Sequence, residues 1–79
     1  MEVSLFDLQT GQKAIIKRLK EGEMFRKKLA SLNIRVGKTI RKITAQPLRG
    51  PVVIEIDNTE ATIGMNMAKK IVTEPLGAE

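Results

Sequence analysis

Residues 52–63, VVIEIDNTEATI, constrain the fold more tightly than any other stretch of the chain. Val52, Ile54 and Ile56 alternate with Val53, Glu55 and Asp57, the two-residue period of a strand with one dry and one wet face. Asp57 and Asn58 both tolerate a left-handed backbone, and Ala61 and Ile63 then resume the alternation. This pattern predicts a β-hairpin closed by a tight turn. A lone hairpin is marginally stable, so other segments must cover its apolar face.

The remaining segments supply that cover. Ser4 and Asp7, three apart before Leu8, predict a capped single helical turn with Leu5 and Leu8 facing inward, ended by Thr10-Gly11. QKAIIKRL reads as a strand, with Ala14 and Ile16 on one face and Ile15 and Lys17 on the other. EGE at 21–23 breaks it and places acids where a helix N-terminus favours them. MFRKKLASL is helical: Phe25, Leu29 and Leu32 share one face, and Arg26, Lys27 and Lys28 mostly face water. Asn33 is expected to close this helix in a left-handed conformation, and Gly37 to turn the chain into KTIRKITA. In that strand Ile40 and Ile43 are three apart, which predicts a bulge or strong bend. QPLRGP is a Pro/Gly loop, MNMAKK one helical turn capped by Asn66, and IVT a last short strand. Five short strands with one helix after the first, and helical turns near both ends, predict a small barrel spanning residues 1–74, with 75–79 a frayed tail.

Composition narrows the chemistry. With 79 residues, 42% of them apolar, the chain makes one globular domain. It has neither cysteine nor histidine, so thiolate sites and the commonest general base and metal ligand are excluded. Ser4 and Ser31 have no histidine to activate them. Glu55, Asp57 and Glu60 cluster around the hairpin, where the simplest reading is its solvated side. No enzyme and no cofactor is expected. The N-terminus has no signal-peptide pattern, and no apolar run approaches the ~20 residues of a membrane span, so a cytoplasmic protein is expected.

The net charge of +5 is unevenly spread. Residues 13–49 carry twelve Lys and Arg against Glu21 and Glu23, while both flanking segments are net acidic. One side of the fold is therefore expected to be basic. RNA-binding barrels interleave aromatic residues for base stacking, whereas this chain has no Trp or Tyr, and Phe6 and Phe25 fall at core-like positions. A protein-binding module remains, with Met24, Met65 and Met67 as adaptable apolar side chains near element ends.

The succession SLFDLQTGQKAIIKRLK, FRKKLASLNIRVGKTIRKI, QPLRGPVVIEI and ATIGMNMAKKIVT, over residues 4–73, resembles the FeoA family. The resemblance lies in order and spacing: the Leu-containing turn before Gly11, the helix ending LxxLNI, the Val36-Gly37 turn and the P-L-x-G-P loop. Family members usually have Gly where this chain has Asn33, the next-best residue for a left-handed position. The resemblance implies an SH3-like barrel and a non-enzymatic role in prokaryotic ferrous iron uptake. It implies as partner a FeoB-like ferrous iron permease with a cytosolic GTPase domain. Similar domains end iron-dependent repressors, but this chain lacks a DNA-reading helix pair.

The expected docking face combines the cations Lys27, Arg35, Arg41 and Lys42, which would steer encounter with an acidic partner or an anionic membrane surface, with apolar contacts from Met24 and Met65. The other two readings are a small basic barrel binding RNA or ribosomes and a divalent-metal-responsive regulatory domain.

Overall fold

The computed structural model describes residues 1–20, 22–45 and 50–77. Glu21, the 46–49 part of the expected loop and the end of the expected tail lie outside the described residues. The elements are β1 (Val3–Ser4), a 3₁₀ turn (Leu5–Asp7), β2 (Lys13–Leu19), α1 (Glu23–Ala30), β3 (Thr39–Ala45), β4 (Val52–Ile56), β5 (Thr59–Ile63), α2 (Met65–Ala68) and β6 (Ile71–Pro75). Among the described residues these strands form one antiparallel sheet in the order β1-β6-β2-β3-β4-β5. The fold is mainly β, as expected, but the sheet is open: β1 and β5 are its outer strands and do not pair. The sixth strand, β1, matches Val3 with Thr73 and Ser4 with Val72, and two residues are too few to show a period in sequence.

The hairpin follows the alternation that predicts it. Val52, Ile54 and Ile56 are buried, and Asp57 (φ 52°) and Asn58 (φ 62°) close a two-residue turn of the left-handed kind that suits strand twist. The bulge expected in β3 falls at Ile43, where the register against β4 slips between Lys42 and Thr44. A second bulge lies in β2, where pairing with β6 jumps from Ile16 to Arg18. It shifts the alternation by one residue, so Ala14, Ile16 and Leu19 all enter the core while Lys17 and Arg18 both stay outside.

The helix end is well defined. Asn33 has φ 69°, the N–H of Ile34 donates to Leu29 O at 3.0 Å and that of Asn33 to Ala30 O at 2.9 Å. This is the Schellman pattern with Asn33 in the left-handed position, and it delivers Ile34 into the core beside Leu29. Leu32, expected on the inward face, is instead 40% exposed, because the helix unwinds before reaching it. Asn33 also donates through Nδ2 to Asp57, and Lys38 Nζ reaches the same carboxylate at 2.6 Å, tying the helix end to the hairpin turn.

The N-terminal turn is capped as expected: Asp7 N–H donates to Ser4 Oγ at 3.1 Å, and the hydroxyl donates to the Asp7 carboxylate at 3.2 Å. The cap expected at Asn66 is not formed. Gly64 is the residue preceding α2, in extended conformation, so Asn66 lies inside the turn. β6 runs further than expected, pairing Pro75 with Ala14, and Leu76 N–H continues the ladder to Lys13 O at 2.9 Å. One contiguous core joins Leu5, Ile16, Leu29, Ile40, Ile54 and Ile71 across the 3₁₀ turn, the sheet and α1.

Candidate functional site

A groove of about 500 Å³ lies between β2 and α1. Its apolar lining residues are Leu19, Ala30, Ile34 and Val36. The other described residues that line it are all basic: Lys17, Arg18, Arg26 and Arg35. Local backbone rules build it. The β2 bulge sends two successive cations outward and Leu19 inward. Arg26 and Ala30, four apart on α1, share the helix side next to the core face. The Schellman turn buries Ile34 and leaves Arg35 and Val36 outside, Val36 with 60% of its surface exposed. Gly37 (φ 96°) then turns the chain into β3.

The groove cations differ in their partners. Lys17 pairs with Glu74 at 3.5 Å and Arg18 with Glu2 at 2.9 Å. Among the described residues, no carboxylate pairs with Arg26 or Arg35.

The six residues expected to form one docking face are scattered. Arg35 lines the groove. Met24, 82% exposed, and Lys27 are on the same helix but outside the lining. Met65 is half-buried at the start of α2. Arg41 is exposed on β3 and bound across the ladder to Glu55 at 3.1 Å.

Lys42 is not on a surface at all. It follows Ile40 by two residues, ahead of the bulge, so the strand period points it inward, and it is 4% exposed. Its ammonium donates to Phe6 O at 2.8 Å and to Leu8 O at 2.7 Å, and it stands 6.0 Å from the Phe6 ring. These carbonyls belong to the end of the 3₁₀ turn, where a cation is favoured. Burial holds the Lys42 pKa below the ordinary lysine range, and the nearby Asp7 charge partly opposes that shift. The side chain is a structural staple. Its main chain adds to the same link, accepting from Gly11 N–H at 2.6 Å and donating to Gln12 O at 3.0 Å.

The hairpin acids are engaged locally. Glu55 faces Arg41, and Asp57 holds Asn33 and Lys38. Among the described residues, no three acidic groups come together as a metal site. The residues that sequence reasoning missed are Lys17, Arg18, Leu19, Arg26, Ala30, Ile34 and Val36. A signal was present: Ile16 and Leu19 are three apart, as Ile40 and Ile43 are, and the same bulge argument applies to both strands.

Comparison with known proteins gives this architecture a family. The model of the FeoA domain matches residues 3–75. A fusion of Fe(2+) transport protein A with the Fe(2+) transporter FeoB, from Porphyromonas gingivalis (strain ATCC BAA-308 / W83), is 34% identical over 70 residues. That match covers 89% of this chain and 8% of the fusion, so the chain spans under a tenth of that relative. The crystal structure of an iron uptake regulatory protein, FeoA, superposes with a TM-score of 0.88 at 28% identity, covering 96% of this chain and 99% of that one. A manganese-dependent transcriptional repressor reaches a TM-score of 0.85 at 18% identity over 95% of this chain and 42% of its own, a likeness of fold alone. The fold, the family model and the related fusion agree, and this chain belongs to the FeoA domain family.

Proposed function

We propose that this chain is a non-enzymatic accessory domain that docks on a FeoB-type ferrous iron transporter at the cytoplasmic face of the membrane and supports Fe(II) uptake. The observation that carries this reading is the relative in which a segment similar to this chain and a FeoB transporter are one polypeptide. Fusion raises the effective concentration of two modules that act together. In the reading proposed here, a separate chain achieves the same association through its own surface. The charge of the chain, +5, suits an acidic counterpart and speeds encounter. None of the described helices is long and apolar enough to cross a membrane, which fits a role beside the transporter.

The test is a calorimetric titration of the full chain into the GTPase-containing portion of the FeoB from the same genome, at low and near-physiological salt. Saturable one-site binding that persists at the higher salt supports the docking reading. No binding heat at either salt, together with no capture of the intact transporter in detergent, refutes it.

A further inference from the structure

We propose that the groove between β2 and α1 receives an acidic protein segment carrying an apolar anchor residue. This rests on the docking reading above and gives it a surface and a partner chemistry. Two of the groove's apolar lining residues, Leu19 and Ile34, are buried and belong to the core, so an inserted side chain would extend the core outward. Among the described residues, every polar side chain lining the groove is a cation and no carboxylate lines it. Lys38, just before β3, and Arg41 on β3 are already bound to Asp57 and Glu55, whereas Arg26 and Arg35 pair with no carboxylate among the described residues. Three of the four groove cations are arginines, whose planar fork grips carboxylates in pairs of hydrogen bonds and recurs at interface hot spots.

The geometry favours this occupant over two others. A nucleic acid would use aromatic platforms, and the lining has none. A bilayer needs several apolar side chains that project into it, yet of the apolar lining residues Leu19 and Ile34 are buried and Val36 alone is largely exposed. A volume near 500 Å³ is in the range of sites that enclose a ligand group. It would form the centre of an interface whose total area is larger.

The experiment repeats the titration with the full chain carrying Arg26→Glu with Arg35→Glu, with Val36→Asp, and with Lys13→Glu as a charge change outside the groove. Thermal unfolding of each variant checks that it is folded, and the milder pair Arg26→Gln with Arg35→Gln replaces the reversal if that one is not. The double change is expected to weaken binding about tenfold or more at low salt, Val36→Asp to weaken it at both salts, and Lys13→Glu to act less than about twofold. Wild-type binding that the groove variants leave unchanged overturns the groove and spares the docking reading. An equal loss in Lys13→Glu also overturns it, because the effect is then net charge. Wild-type protein that ignores the transporter but binds anionic vesicles or RNA through Arg26 and Arg35 overturns both. Absence of any wild-type binding refutes the docking reading and the groove with it.

Discussion

Replacing Lys42 by Met keeps the length of an unbranched stem and removes the ammonium, so it isolates the polar part of this buried contact. The wild-type amine donates to a buried carbonyl, Leu8 O, and to a part-buried one, Phe6 O. Hydrogen bonds from a charged donor contribute about 1.5–3 kcal/mol each, and a buried carbonyl left without a donor costs about 1–3 kcal/mol. Phe6 O can regain water, whereas Leu8 O cannot. In the other direction, the variant no longer has to strip water from an ammonium, which offsets part of the loss. The expected net effect is a loss of about 2 kcal/mol. A domain of this size has a total stability of roughly 4–12 kcal/mol. The corresponding fall in Tm is roughly 8–16 °C. Urea unfolding followed by circular dichroism, with m compared between variants, measures it directly. A Lys42→Met chain as stable as wild type, or more stable, would refute the reasoning. It would show that desolvation of the ammonium outweighs its two hydrogen bonds.

Three further outcomes are expected. Because burial lowers the pKa of Lys42, the folded chain releases this proton before the unfolded chain does as pH rises. Stability relative to Lys42→Met should therefore climb with pH through the window just below the ordinary lysine pKa and fall back as pH drops. Unfolding both proteins at about pH 7 and about pH 10 checks this, and an equal difference at the two values contradicts it. Asn33→Ala forces a Cβ-bearing residue without a local hydrogen bond into φ 69° and should cost about 1–2 kcal/mol. Asn33→Gly should cost less than Asn33→Ala, and denaturant midpoints decide the order. Arg41→Ala breaks an exposed cross-strand pair with Glu55 and should change stability by no more than about 1 kcal/mol, a loss that salt reduces.

Much of the fold could be read locally. The hairpin turn, the cap at Ser4, the helix stop at Asn33 and the β3 bulge each depend on a few adjacent residues whose backbone preferences are strong. The candidate site was harder to read because it depends on phase and on distant neighbours. Arg41 and Lys42 are adjacent and alike in sequence, but the pleat sends one to solvent and the other beneath the 3₁₀ turn. Arg26 and Arg35 line one groove only because the turn after α1 is held to β2, where Gly37 N–H donates to Ile16 O. Met24 and Met65, equally apolar in sequence, end on different elements with different exposure.

The sequence by itself determined the class of fold, the family, and the exclusion of thiolate and imidazole chemistry. The class of fold and the excluded chemistry follow from period, punctuation and residue type, which act over a handful of positions, and the family from a resemblance in the order and spacing of segments. Tertiary structure alone decided that the sheet stays open, that a two-residue strand joins its edge, and that Lys42 is a core staple. It also decided that four cations and four apolar residues line one groove. The physical reason is that burial and pairing depend on what the rest of the chain places opposite each residue. A lysine amine settles inside when two backbone carbonyls wait for it, and an arginine stays outside when nothing does.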